Sequence, residues 1–205
     1  MRGERGVPEK KILIELLDLW TQFVDSADSM ESPQSLKRQL ELARFDRALA
    51  AAESLAEHRA LLTTTELARL NSIITGKNTD PWRRETTTIT LPSGKIETLA
   101  LIVDPVLTAR EKLHKATERA EGGETIDAAV DIYVAFILSH VFNDANRRTA
   151  ALASHYFLKR YGAAISGLSL HELGLGDLRQ EGQIDALRKT FHDMARFAEN
   201  RTRQD

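Results

Sequence analysis

Apolar residues recur with helical spacing from residue 11 to residue 25 and again after Pro33. Such spacing aligns the apolar side chains on one face, so it predicts two amphipathic helices with a break between them. A further helix is predicted from Thr65 to Ile74, because Gly76 and the turn residues after it end the pattern. The stripe after the break consists of Leu36, Leu40, Phe45, Leu49 and Leu55.

Two later segments, 128–138 and 150–158, are apolar almost all round. A helix without a polar face is typical of a core, so these segments are predicted to form the central pair. His155 lies in the second segment and is interpreted as a core histidine rather than a metal ligand. Another helix is predicted from Asp104-Pro105 to about Ala120, and a last amphipathic helix follows Ile184, Leu187, Phe191, Met194 and Ala198.

One stretch breaks the helical pattern. Residues 86–90 and 96–101 are rich in threonine and isoleucine, and Pro92-Ser93-Gly94 separates them. This composition predicts a short β-hairpin. The sequence therefore indicates an all-α helical bundle with a small hairpin, which is either a structural ribbon or a flap that binds another chain.

Length and charge narrow the class of protein. The 205 residues fit one compact body, divided into an N-terminal helical extension (1–60), a core (61–165) and a C-terminal helical segment (166–205). The 28 Lys and Arg residues against 30 Asp and Glu give a net charge of −2, which argues against nucleic-acid or membrane partners. No apolar run is long enough to span a membrane, no signal-peptide cleavage site follows the N-terminus, and cysteine is absent, so we expect a cytoplasmic protein.

The candidate chemistry lies between the two predicted central helices, in residues 140–148. The first backbone N–H groups of a helix lack partners, so those around Asn146 and Arg148 are expected to form an anion site. Asp144 is placed to hold a divalent cation that bridges phosphate oxygens. His140 is the natural general base for a hydroxyl attacking phosphorus. Together these residues predict a nucleotide phosphate pocket with Mg²⁺.

This loop resembles the signature of the Fic/Doc family, and the resemblance extends from about Thr65 to Gly162 through the Arg84 region. Family members transfer a phosphate-containing group, most often AMP from ATP, to a hydroxyl of a target protein. The resemblance implies a Fic-type fold, with His140 as base and Asp144 as Mg²⁺ ligand. It implies a phosphate-binding set of Ala145, Asn146, Arg147 and Arg148. The matching positions are His140, Phe142, Asp144, Ala145, Asn146 and Arg148.

The hairpin matches the flap on which the family aligns its target segment by strand addition. The implied edge consists of Thr86, Thr87, Thr88, Ile89 and Thr90.

Two positions depart from the AMP-transferring pattern. Arg147 stands where most such members have glycine, and Ala151 stands where they have a second arginine that grips the terminal phosphates. Both changes resemble the Doc branch, whose implied chemistry is phosphorylation, and Arg147 is expected to compensate in part.

Regulation and inactivity are also open alternatives. Many family members carry an inhibitory helix with a glutamate, for which Glu31 is the candidate here, although its arginine partner is replaced by Ala151. A catalytically inactive module that binds nucleotide or a partner, such as an antitoxin or a regulatory protein, is the alternative from a different class. A further alternative is that the loop is an ordinary polar connection between helices, without a chemical role.

Overall fold

The apolar stripes become helices in the computed structural model of the chain, which describes residues 33–91, 93–173 and 176–202. The predicted helix over residues 11–25 and the candidate inhibitory Glu31 lie outside the described residues. By internal contacts the chain divides into two compact units, residues 1–40 and 41–205. The core and the C-terminal helices therefore belong to one unit.

The prediction of an all-α bundle with a small hairpin is confirmed. Strands β1 (Thr87–Thr90) and β2 (Ile96–Leu99) pair antiparallel, with Thr87 opposite Leu99. None of the helices in the described ranges combines the length and the apolarity of a membrane span. These helices are α1 (Pro33–Glu57), α2 (Thr64–Thr75), α3 (Pro105–Glu121), α4 (Thr125–Ser139), α5 (Asn146–Arg160), α6 (Leu168–Leu173) and α7 (Gln183–Thr202).

Capping residues explain why the predicted helix boundaries are close to the observed ones. The Thr63 hydroxyl accepts a hydrogen bond from the Glu66 N–H and begins α2, and Gly76 ends it with a φ of 67°. The Asp104 carboxylate accepts from the Leu107 N–H at the start of α3. These local bonds satisfy backbone groups that helix ends leave open, so the sequence signals act without help from the rest of the fold.

Helices α4 and α5 form the central pair, as predicted, and share the largest contact in the fold. Every residue of α5 from Thr149 to Leu158 is buried. Helices α3 and α7 also pack on α4, while α2 and α6 pack on α5. The loop that joins α4 to α5 is therefore anchored at both ends in the core.

His155 is a satisfied core histidine, which confirms its interpretation from the sequence. The ring is buried, with Nε2 3.2 Å from Glu53 Oε1 and Nδ1 3.1 Å from Ser166 Oγ. These bonds tie α5 to α1 and to the segment before α6, so the histidine serves packing.

Candidate active site

The loop between α4 and α5 has an unusual backbone at both ends. His140 ends α4 with a φ of 48°, and Ala145 precedes α5 with a φ of 57°. Left-handed conformations cost a non-glycine residue roughly 1–2 kcal/mol, so other contacts must hold the loop in this shape.

A segment from before the hairpin supplies one set of these contacts. Trp82 and Phe142 form an antiparallel bridge, and their rings stack with centroids 4.7 Å apart. The Arg83 N–H donates to the Val141 carbonyl at 2.8 Å, and the Asn143 N–H donates to the Pro81 carbonyl at 2.9 Å. Phe142, one of the positions that carry the resemblance, is fully buried, and its ring stacks on Trp82.

Two amide side chains hold the loop from the inside. Asn146 accepts from the Phe142 N–H and donates to the Phe142 carbonyl, each at 2.9 Å. Asn71, buried on α2, donates to the Asp144 carbonyl at 2.9 Å and to Thr149 Oγ1 at 3.0 Å. Both polar groups of the Asn146 side chain form hydrogen bonds with the loop backbone. Its predicted contact with phosphate therefore stays a prediction.

His140 occupies an environment that favours the neutral imidazole. Burial lowers the pKa of His140 below its ordinary value; the nearby Ile137 carbonyl opposes this, and the positive charges of Arg179, Arg83 and Arg147 lower it further. Nδ1 is buried and has no hydrogen-bond partner within the described residues. The neutral imidazole is therefore favoured here, and the role of His140 as general base stays a prediction.

The carboxylate of Asp144 is half exposed beside two cations. Lys77 Nζ lies 3.4 Å from its Oδ2, and Arg148 Nη2 lies 4.0 Å from its Oδ1. The Ala145 N–H also donates to Oδ1, at 2.6 Å.

The donor set around Asp144 fits a metal shared with a substrate. In the described part of the chain no group of three or more histidine, cysteine or acidic residues gathers as a ready-made metal site. Mg²⁺ is commonly held by one or two carboxylates together with substrate phosphates and water. Asp144 supplies one such carboxylate, and its role as a Mg²⁺ ligand stays a prediction.

The N-terminus of α5 meets the requirements of an anion site. Asn146, Arg147 and Arg148 are its first three residues, and the N–H groups of a first helical turn have no partner within the helix. The positive charge of Arg147 lowers the pKa of both His140 and Tyr133. Ala151 is fully buried, so no part of it reaches the solvent side of the loop.

The hairpin presents an open strand edge. Within the described residues β1 pairs only with β2, which leaves its other edge without a strand. Thr86, Thr88 and Thr90 are exposed, whereas Thr87 and Ile89 are half-buried. Residues 87–90 of the predicted edge thus form a strand, and Thr86 lies just before it.

The sequence interpretation missed several residues that shape this site. Arg83, one residue before the position suggested by the resemblance, is buried against the loop, whereas Arg84 is exposed and pairs with Asp80 at 3.0 Å. Asn71 and Lys77 were also missed. An arginine beside a tryptophan after Asp80-Pro81 is the only local signal, and it does not reveal contacts with residues some sixty positions later.

Arg179 joins the site from the far end of the chain. Its guanidinium lies 3.9 Å from the Glu97 carboxylate on β2, and its charge acts on His140. The contact with Glu97 connects the C-terminal segment to the flap.

The described chain is thus a helical bundle with a small hairpin, in which a histidine precedes a helix N-terminus that carries two arginines. Residues 61–158 match the family model described as the Fic/DOC family. None of the curated proteins compared with the chain matches it.

The solved structures that share the fold include the following two. A Fic domain containing signaling protein from Bacteroides thetaiotaomicron is 17% identical, with a TM-score of 0.58 over 87% of this chain and 78% of that one. A Fic family protein from Desulfovibrio desulfuricans is 12% identical, with a TM-score of 0.54 over 95% of this chain. The chain spans 63% of the length of that second protein. At these identities the likeness concerns the fold.

Proposed function

We propose that the chain is a protein-modifying transferase that moves AMP from ATP to a serine, threonine or tyrosine hydroxyl of a target protein, with Mg²⁺. The Fic/DOC domain supports the general class, since the family generally transfers nucleotide-derived groups to proteins. One observation carries the proposal: His140, with a lowered pKa, ends α4 just ahead of the arginine-lined N-terminus of α5.

In the proposed reaction the target hydroxyl oxygen attacks the α-phosphorus of ATP. The new O–P bond forms as the bond to pyrophosphate breaks, and the hydroxyl proton passes to Nε2 of His140. Pyrophosphate leaves with the bonding electron pair. Because His140 is neutral before this step, it accepts the proton without first releasing one.

The other residues bind and orient the nucleotide. The first N–H groups of α5, with Arg147 and Arg148, compensate the phosphate charge. Asp144 is the residue that would hold Mg²⁺. The ion, when bound, supplies charge neutralisation and fixes the phosphate geometry. The open edge of β1 aligns a target segment through backbone hydrogen bonds, as in strand addition.

Transfer of the terminal phosphate is the second candidate, and the alanine at position 151, where AMP-transferring members have an arginine, favours it. Without an arginine at this position, nothing on the second turn of α5 grips the terminal phosphates. In this alternative the hydroxyl attacks the γ-phosphorus, ADP leaves, and His140 keeps its role. A toxin of a toxin–antitoxin pair, with an antitoxin as partner, would fit this chemistry.

ATP labelled separately at the α or the γ phosphate distinguishes the two reactions. The chain is incubated with Mg²⁺, each labelled ATP and the proteins of a cell lysate, with His140→Ala as the control. We expect protein-bound label from the α position only, and none with the variant. Label from the γ position only would replace AMP transfer by phosphorylation, and no label from either position would favour the inactive binding module.

A further inference from the structure

Arg83 is a buried arginine whose hydrogen bonds run to backbone carbonyls. It is 3% exposed, and within the described residues it forms no ion pair with a carboxylate. Burial lowers the pKa of its guanidinium, because removing the charged form from water costs free energy. A residue needed only to fill space would avoid this cost, so the bonds themselves call for an explanation.

These bonds reach both halves of the proposed reaction. On the base side, Nε donates to the His140 carbonyl at 2.7 Å and Nη2 reaches the Ser139 carbonyl at 3.5 Å. On the flap side, Nη1 donates to the carbonyls of Glu85 and Ala100, each at 2.9 Å.

Glu85 and Ala100 lie just outside the two strands of the flap, one before β1 and one after β2. A single guanidinium therefore bonds to both ends of the hairpin and to the end of α4. The planar fork of arginine suits this task, because its N–H groups point in fixed, different directions.

We propose that Arg83 is a positioning residue that joins the main chain of His140 to both ends of the flap, and so sets the distance between the base and the bound target hydroxyl. This inference rests on the proposed roles of His140 and the flap. It goes beyond them in assigning a specific function to a residue that touches neither the nucleotide nor the target.

The consequence concerns the chemical step more than nucleotide binding. If the flap shifts relative to His140, the hydroxyl is misplaced while the phosphate site on α5 stays intact. A misplacement of about 1 Å costs on the order of 10²-fold in rate. Arg83 also contributes one of the positive charges that face His140, the others being Arg147 on α5 and Arg179 from the C-terminal segment.

Two variants separate the effect of the Arg83 hydrogen bonds from the effect of its charge. Arg83→Lys keeps the charge but cannot bond to all four carbonyls, whereas Arg83→Gln loses both. Arg84→Gln is the matched control, because Arg84 is exposed and pairs only with Asp80 among the described residues. Amide hydrogen exchange across β1 and β2 measures whether the Arg83 hydrogen bonds hold the flap. An NMR pH titration of the His140 ring measures the effect of the Arg83 charge. Neither measurement needs nucleotide.

We expect faster flap exchange in both Arg83 variants, a raised His140 pKa in Arg83→Gln only, and wild-type behaviour in Arg84→Gln. In transfer assays kcat should fall roughly 10- to 100-fold in both Arg83 variants, with little change in KM for ATP. Arg83→Lys alone carries the test if Arg83→Gln does not fold.

Unchanged flap exchange in folded Arg83 variants would overturn the proposal. This holds even if the wild-type chain transfers no group, so failure of the inference is distinguishable from failure of the proposed function. A kcat loss accompanied by an equal loss of ATP binding would also overturn it, because that result indicates general damage to the site.

Discussion

His140 owes its proposed role to its surroundings. Burial and the charges of Arg179, Arg83 and Arg147 all lower its pKa from the ordinary 6.5, with the Ile137 carbonyl acting against them. The neutral base therefore persists below pH 6.5, and the acid limb of kcat/KM should have its midpoint below that value. Replacing Arg147 by glutamine removes a positive charge and should move the midpoint to higher pH. A midpoint above 6.5 in the wild type would contradict this account of His140.

The imidazole itself should account for much of the rate. His140→Ala removes the proton acceptor, for which general-base losses of about 10²- to 10⁴-fold are typical. His192→Ala, on α7, is a suitable control because that ring pairs with Asp127 rather than with the loop. Transfer assays on folded variants decide the point, and an unimpaired His140→Ala would exclude base catalysis by this residue.

Asp144 combines two functions that one substitution separates. Asp144→Asn keeps an oxygen that can accept from the Ala145 N–H but loses the charge that would hold Mg²⁺. We expect the loop to stay folded while the Mg²⁺ concentration needed for activity rises at least about tenfold, which corresponds to about 1.4 kcal/mol. Titration of activity with Mg²⁺ measures this change; Asp185→Asn, on α7, should leave the curve where it is.

At the scale of the element, the loop depends on the Asn146 side chain. Asn146→Asp removes the amide donor to the Phe142 carbonyl and puts a carboxylate oxygen beside that carbonyl. Leaving this carbonyl without its partner should lower the free energy of unfolding by about 1–3 kcal/mol. Urea unfolding tests this, with Asn78→Asp in an exposed turn as control. Equal stability of the two variants would show that the loop does not need the bond.

Two tyrosines of the central helices provide a matched pair. The Tyr133 hydroxyl is buried without a partner within the described residues, and burial raises its pKa to about 12. The Tyr156 hydroxyl donates to the Ala60 carbonyl at 2.6 Å and accepts from the Leu62 N–H at 3.2 Å. Tyr133→Phe should therefore unfold at the same or a higher urea concentration, whereas Tyr156→Phe should lose about 1–3 kcal/mol. The reverse order would contradict the assigned hydrogen bonds.

The helices, the hairpin and the motif loop were readable from the sequence because their signals are local. Thr63, Gly76 and Asp104 act on residues within four positions of themselves. The contacts that hold the loop in its shape could not be predicted from the sequence. Arg83 and Asn71 each form hydrogen bonds with residues more than fifty positions away, and the sequence around them carries no pattern that predicts those contacts.

At the scale of the whole molecule, charges fasten the C-terminal helix to the core. Asp127 and Asp131 on α4 pair with Arg119 of α3 and with Arg188 of α7. His192 of α7 lies 3.1 Å from Asp127. The same segment of the chain carries Arg179 toward the flap, so the C-terminal region supports the site although it lies outside residues 61–158.

Asp127→Asn should weaken this attachment. Asp127 is 17% exposed and contacts Arg119, Arg188 and the ring of His192, so losing its charge should lower the free energy of unfolding by about 1–2 kcal/mol. Asp185→Asn, at a residue 86% exposed, should change it by less than about 0.5 kcal/mol. Thermal unfolding at low and high salt compares them; equal effects would show that the cluster adds little to the docking of α7.

The central claim, transfer of AMP by His140, is tested most directly by intact-mass spectrometry. The masses of the chain and its acceptor proteins are measured after incubation with Mg²⁺ and ATP. A parallel mixture contains the His140→Ala variant in place of the wild-type chain. The account predicts an added mass equal to one AMP group on an acceptor, absent with the variant. Addition of a phosphate group alone, or no addition of any nucleotide-derived group to any protein present, would contradict it.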